Sequence, residues 1–481
     1  MNSIIKFILD DKLTEIDFFV QSEFKPTTTV LNYLRALPNH KGVKEGCAEG
    51  DCGACTIVVA EIGDNNKLIY KTINSCLVLL PMVHGKQIIT IENLSSTENN
   101  KLQLHVVQQA LLESNGTQCG YCTPGIVMSL FGIYKNYNKP STEIINNALV
   151  GNLCRCTGYE SIIEASKKIS EYTKSDKFLE MEKNTIKLLK RIKNDKLITI
   201  NNNNQIYFKP FTLSEALNLR NENTDAIIVN GSTDIALRQT KKNEFLAKII
   251  DISSVIDLTN IKETSDYYIV GAGVTLETLR KYSSKILPQL ENILNVFASL
   301  QIRNIATIGG NIASASPIGD LLPLLYVYET KIKLKSINNE RIVDIEDFII
   351  SYRKTTLQKD ELIFEIIIPK YNKSYNINSY KVSKRKDLDI STVNAAFKLK
   401  LTNNKVNNII IALGGMAAYT QRAKYTENSL IGKIWNRKNI EEAMKILYDE
   451  FTPLSDARSS SEYRRLVAKN LLLKFYLETK Q

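Results

Sequence analysis

The pattern of apolar and polar positions changes several times along the 481 residues. Over residues 1–93 it alternates in short runs. IIKFIL at 4–9, a polar turn at Asp10 and Asp11, and IDFFV at 16–20 predict a hairpin. Residues 30–37 have a helical period that ends at Pro38. TIVVAE (56–61) and LIYKTIN (68–74), joined through Gly63, Asp64, Asn65 and Asn66, predict a second strand pair, and 88–91 closes the sheet. From 98 to 172 the period lengthens, and helices are expected over 104–113, 126–134, 142–149 and 161–172. Residues 173–202 are dense in charge and run into the Asn-rich 201–204, which predicts a linker with one helical stretch at 179–192. Residues 203–370 have an α/β pattern. The remainder offers strands at 395–401 and 409–413, then helices at 438–451 and 459–477. The expected fold class is multidomain α+β, with domains at 1–93, 97–172, 203–372 and 376–480 and a linker at 173–202.

Composition changes this picture little. Hydrophobic content of 43% and charged content of 23% are those of a globular protein, in the size range of several domains. No run of 18 apolar residues exists, so no membrane span is expected. Asp10, Asp11 and Glu15 fall where an export signal needs an unbroken apolar stretch, and a cytoplasmic location is expected. The net charge of +11 raises nucleic-acid binding as a possibility. Residues 167–196 alone hold ten Lys/Arg against five Asp/Glu, however, and basic and aromatic residues are nowhere interleaved. No nucleic-acid partner is expected.

The cysteines carry the first chemistry. All eight lie between 47 and 156. Cys47, Cys52 and Cys55 are spaced by four and two residues, and Cys76 follows 21 positions on, which is the plant-type iron–sulfur spacing. Four thiolates must converge on one small cluster, and Gly42, Gly46, Gly50 and Gly53 let the backbone wrap it and aim N–H groups at its sulfurs. Strands, one helix and a peripheral cysteine loop form the β-grasp arrangement of plant-type ferredoxins, which residues 1–93 resemble. Two further pairs, Cys119/Cys122 and Cys154/Cys156, lie at predicted helix boundaries, with Pro124 suited to a first helical turn. Such pairs can hold zinc or act as a redox dithiol. A Cys-x-Cys half-site is unusual for structural zinc, and a complete iron–sulfur loop precedes it, so a second cluster is the favoured reading. His40, His84 and His105 belong to none of these pairs, which disfavours a Rieske-type centre.

Two glycine-bearing stretches follow in 203–370: IIVNGSTDI, from Ile227 to Ile235, and QIRNIATIGGN, from Gln301 to Asn311, trailed by SPIGD at 316–320. Free N–H groups in such turns can wrap a pyrophosphate, and the hydroxyls of Ser232 and Thr233 add donors. Together they point to a flavin site. GAGVTL at 271–276 begins like a dinucleotide fingerprint but has Leu276 where the third glycine belongs, so it reads as a structural turn, and the flavin is expected on a non-Rossmann fold.

KEGCAEGDCGACT, QCGYCTPG, GNLCRCTGY, NGSTD, RNIATIGGNIASASPIGD, YKVSKRKDLDIS and PLSDARSSSEYR together resemble the small, iron–sulfur and FAD-bearing subunit of bacterial xanthine dehydrogenase, within the molybdenum hydroxylase family. The resemblance spans essentially the whole chain. It implies a β-grasp 2Fe–2S domain, an all-α 2Fe–2S domain, a vanillyl-alcohol-oxidase-like FAD domain and a C-terminal α+β domain. It implies that Cys47, Cys52, Cys55 and Cys76 ligate the 2Fe–2S cluster nearer the flavin. Cys119, Cys122, Cys154 and Cys156 would ligate the one nearer molybdenum, with Gln118 and Cys156 approaching the pterin. FAD is expected on Ile228, Val229, Asn230, Gly231, Ser232, Thr233, Asp234 and Ile235, with Phe297, Thr307, Ile308, Gly309, Gly310, Asn311, Asp320, Ile363 and Lys381. No molybdenum-pterin domain is recognisable, so hydroxylation, for instance of hypoxanthine and xanthine to urate, is expected on a molybdopterin-binding large subunit in a heterotetramer or larger assembly. No catalytic residue for it is assigned here. Electrons would pass from that partner through the clusters to FAD and then to NAD⁺. The same role in a hydroxylase acting on another N-heterocycle or an aldehyde is the alternative, and a non-redox zinc- and nucleotide-binding module is a third reading.

Overall fold

The computed structural model describes residues 3–21, 23–98, 100–172, 175–193, 196–202 and 204–480; the expected boundaries at 173 and 203 lie outside the described residues. The chain divides into two compact units. The first comprises residues 1–219, 225–255 and 299–306, the second 220–224, 256–298 and 307–481.

The first unit opens with a five-stranded sheet in the order Lys12–Asp17, Ile4–Leu9, Gln87–Ile89, Thr56–Ile62, Leu68–Asn74, with only the Ile4–Leu9 and Gln87–Ile89 pair parallel. The helix Val30–Ala36 covers it, its N-terminus capped by the Thr29 hydroxyl. The first hairpin differs from expectation. Its second strand is Lys12–Asp17, and the apolar Phe19 and Val20 lie beyond it, 83% and 73% exposed. Asp17 ends the strand: its carboxylate accepts from Phe19 N at 3.0 Å and its carbonyl from Val20 N.

Helices Val106–Glu113, Thr123–Asn136, Thr142–Leu149 and Glu160–Lys168 follow, close to the helical periods read from the sequence. Lys177–Ile192 is a fifth helix, with Asp176 capping it through Leu179 N at 2.8 Å. Its charge lies outward, while Phe178, Ile186, Leu189 and Ile192 join the core of Met128, Leu130 and Phe131. A four-stranded sheet then forms in the order Ile227–Val229, Lys248–Asp251, Gln205–Lys209, Ile198–Asn202. One apolar cluster runs from Phe7, Val30 and Leu80 through Ile198, Tyr207, Val229 and Ile249, so this sheet and the first share a core.

The second unit holds an antiparallel sheet in the order Ile261–Glu263, Tyr267–Gly271, Leu362–Pro369, Lys331–Lys335, Glu340–Asp344. Short helices accompany it, among them Leu276–Ser283, Pro288–Asn295 and Ile308–Ala313. An antiparallel sheet of Tyr375–Val382, Val393–Thr402, Lys405–Gly414 and Gln421–Arg422 ends the fold. Arg437–Glu450 and Ser461–Thr479 join its core at Phe397, Trp435 and Phe475. Among the described residues no helix is long and apolar enough to cross a membrane.

Candidate electron-transfer site

The first cysteine loop follows the helix Val30–Ala36 and feeds the strand Thr56–Ile62. It turns through Ala48, Gly50 and Gly53, all at positive φ (54°, 86° and 69°). Cys47 Sγ accepts from the N–H groups of Glu49 and Cys52, each at 3.4 Å. Cys76 sits in the 3₁₀ turn Ser75–Leu77, immediately after the strand Leu68–Asn74, and its Sγ is 3.3 Å from that of Cys55. Asn74 Nδ2 ties this turn to Gly50 O at 2.6 Å, and Ser75 Oγ donates to Cys55 O at 2.7 Å. Cys55 and Cys76 are buried, and Cys47 and Cys52 partly so.

The second set follows the same logic on helices. Cys122 caps Thr123–Asn136, with Pro124 in the first turn. Cys154 Sγ accepts from Thr157 Oγ1 at 3.3 Å and Cys156 N at 3.5 Å, and Cys154 N donates to Tyr159 OH at 2.7 Å. Cys119, Cys156 and Gln118 are exposed.

The thiols interact in pairs: Cys47 with Cys52 and Cys55 with Cys76 in the first set, Cys122 with Cys154 and Cys119 with Cys156 in the second. The Cys52 side chain, followed by N–H groups of the loop, holds the Cys47 thiol down to about 5 against burial. Burial pushes Cys122 up to about 12. At Cys154 burial raises the thiol, but the Thr157 and Cys156 donors outweigh it and bring it to about 7. Among the described residues no three such side chains gather as one metal ion would need. Two pairs per set, each with N–H or O–H donors aimed at sulfur, do fit a two-iron core, which takes two thiolates at each iron. The sets also touch directly. Leu153 N, next to Cys154, donates to Cys52 O at 2.9 Å.

The flavin stretches are placed unit by unit. In the first unit Ile228 and Val229 end the strand Ile227–Val229, Asn230 to Asp234 form the turn, and Ile235 begins the helix Ile235–Thr240. Gly231 packs on the Ile305 carbonyl, where a side chain has no room. Ser232 differs from expectation. At φ 58° its side chain turns inward and its hydroxyl donates to Leu77 O. In the second unit Thr307 Oγ1 accepts from Gly310 N at 3.2 Å, and Gly309 N and Ile308 N donate to Ala272 O and Val274 O at 2.9 and 3.1 Å. The GAGVTL turn, read from the sequence as structural, is therefore the brace for Thr307–Asn311. No local signal reveals that pairing. Phe297 closes the turn after Pro288–Asn295 through Leu294 O. Ile363 is buried on Leu362–Pro369. Lys381 Nζ bonds Asp320 at 2.8 Å and Val296 O at 2.9 Å, and Ser391 Oγ holds the other Asp320 oxygen. Among the described residues Asn311 Oδ1 is a buried acceptor with no protein partner, and Gly310 is open except toward Thr307 Oγ1. An unsatisfied amide beside an open glycine fits a bound polar ligand.

Comparison with known proteins identifies the domains. Residues 90–167 match the [2Fe-2S] binding domain, 200–371 the FAD binding domain in molybdopterin dehydrogenase, and 378–479 the CO dehydrogenase flavoprotein C-terminal domain. Xanthine dehydrogenase of Emericella nidulans is 31% identical over 94% of this chain and 37% of its own length. The chain belongs to the molybdenum hydroxylase family. It carries the iron–sulfur and FAD domains of these oxidoreductases. Aldehyde oxidase 3 of Rattus norvegicus is also similar, 28% identical over 96% of this chain and 39% of that protein. The chain thus spans under two-fifths of the length of these molybdenum hydroxylases. A structure of carbon monoxide dehydrogenase from Hydrogenophaga pseudoflava aligns at TM-score 0.53 with 25% identity, covering 56% of this chain and 94% of that one.

Proposed function

We propose that this chain is the electron-transfer subunit of a cytoplasmic xanthine dehydrogenase, serving a partner that binds molybdopterin and oxidises hypoxanthine and xanthine to urate. The observation that carries the reading is the direct Leu153–Cys52 contact between two paired thiol sets in one unit that also bears the first flavin stretch. Cys47, Cys52, Cys55 and Cys76 hold one 2Fe–2S cluster, and Cys119, Cys122, Cys154 and Cys156 the other. The backbone of Ile228 to Ile235, with Phe297, Thr307 to Asn311, Asp320, Ile363 and Lys381, holds FAD. When bound, the clusters carry electrons singly and the flavin collects two, which it can release as hydride to NAD⁺. The chain's N–H and O–H groups at Cys47 and Cys154 stabilise thiolate charge there. Exposed Gln118, Cys119 and Cys156 face the partner, with Gln118 and Cys156 toward its pterin.

The similarity to an aldehyde oxidase supports a second reading, the same role beside a partner acting on an aldehyde or another N-heterocycle. Anaerobic co-purification from the native cell separates them. The complex should contain iron, FAD and molybdenum and reduce NAD⁺ with xanthine. Activity with aldehydes or nicotinate alone would establish the second reading. Zinc in place of iron, with no flavin, would refute both.

A further inference from the structure

The two cysteine sets are also joined through one buried side chain, that of Asn152, which is 3% exposed. Its amide works at both ends. Nδ2 donates to Gly53 O at 3.2 Å, between Cys52 and Cys55, and lies 3.4 Å from Thr56 Oγ1. Oδ1 accepts from Ser129 Oγ at 2.7 Å, on the helix that Cys122 caps, and from Gln301 Nε2 at 3.0 Å. Asn152 therefore bonds the first loop with its donor and the second set's helix with its acceptor, which an acceptor-only carboxylate of that reach cannot do. Glycines make the approach possible. A methyl at Gly53, itself at φ 69°, would lie 2.6 Å from Asn152 Nδ2 and 2.9 Å from Asn152 Cα, and one at Gly125 would strike Gly53 O.

Two other bonds join the loops, from Leu153 N–H to Cys52 O and from the Tyr121 hydroxyl to Glu45 O, which precedes Cys47. Of these the Leu153 bond lies beside Asn152, and the Asn152 bond to Gly53 O, from adjacent residues to adjacent residues, makes that link two-point on the cysteine-bearing stretch itself. We propose that Asn152 is a positioning residue that sets the separation of the two cysteine sets and hence the electronic coupling between the clusters they hold. This rests on the reading that both sets hold 2Fe–2S clusters.

The test uses the full chain loaded with iron. Asn152→Ser withdraws the reach to Gly53 O, whereas Gln301→Met opens the other end of the same network without touching the first loop. Three quantities are read: iron content, the magnetic interaction between the two reduced clusters by low-temperature EPR, and amide exchange at Leu153. With full iron in both variants, Asn152→Ser should lose or reduce the magnetic interaction and speed Leu153 exchange, and Gln301→Met should leave both at the unaltered values. An unchanged interaction in loaded Asn152→Ser, or equal changes in the two variants, overturns the inference and leaves the cluster reading standing. If Asn152→Ser fails to load, the unaltered protein decides: a Leu153 amide among the slowest to exchange supports the attachment, and a fast one overturns it. Absence of iron from the unaltered chain overturns the cluster reading, and the inference with it.

Discussion

A methyl group at Gly231 is the sharpest probe of the flavin assignment. Built on the existing backbone, it would lie 2.7 Å from the Ile305 carbonyl carbon and 3.0 Å from Ala306 Cα, and closer still to the Ile305 oxygen. All three are backbone atoms, so no rotamer change relieves the overlap. Restoring ordinary carbon–carbon contact of about 3.5 Å requires the turn and the Ile305–Ala306 segment to part by at least about 0.8 Å, and relieving the nearer oxygen requires more. Overpacking of this kind costs about 1–3 kcal/mol. Both segments are proposed to lead into the flavin cradle. If the cost falls on the bound state, Gly231→Ala should weaken FAD binding by about 5- to 150-fold, at tenfold per 1.4 kcal/mol. Gly310→Ala is the companion. Its methyl meets only Thr307 Oγ1, at 3.0 Å, so the fold should tolerate it and only a bound flavin should object. Flavin per chain after desalting, the FAD dissociation constant from fluorescence titration, and iron content are the measurements. Gly231→Ala with unaltered FAD affinity would refute the reasoning, and loss of iron alongside flavin would show a general folding defect instead.

Two further outcomes are expected. Cys52→Ser should abolish one of two 2Fe–2S EPR signals and leave FAD bound, because the Leu153 bond uses the Cys52 carbonyl and survives the change; loss of both signals would mean that the two sets do not load independently. His84 is held neutral, down to about 4, by burial first and then by Lys209 and Lys6, and its Nδ1 accepts from Lys6 N at 3.0 Å. An unfolded histidine takes up its proton near 6.5, so stability should fall as pH drops from about 6.5 to 4, by up to about 3 kcal/mol. His84→Gln should flatten that slope in thermal midpoints, and an identical slope in both proteins would sink the assignment.

What the sequence revealed depended on how local the signal was. Cysteine spacing is local, because three ligands share one loop, and the thiols pair as two sets. Helical periods over 142–149 were legible for the same reason, since Ile145, Ala148 and Leu149 form one buried face, whereas Thr123–Asn136 is buried all round from Gly125 to Tyr134 and was legible as a long apolar run. The first hairpin misled because Phe18, Phe19 and Val20 read as strand, although the Asp17 turn ends it and only Phe18 is buried. The brace between Ala272 and Gly309, and the bonds of Gln301 and Asn152, join residues 37 and 149 positions apart in sequence. No periodicity or motif records such pairings. Ser232 was legible as part of a glycine turn, but its φ, and so the direction of its hydroxyl, was not.

The helix Lys177–Ile192 bears on how the protein can be divided for study. Its composition suggests a linker, and the natural place to cut an iron–sulfur fragment would be just ahead of it. That cut would withdraw Phe178, Ile186, Leu189 and Ile192 from the helical core. At about 1.5–3 kcal/mol for each buried apolar side chain, the loss rivals the whole stability of a typical domain. The segment behaves as a clasp, and a fragment meant to keep its clusters should retain it through Ile192.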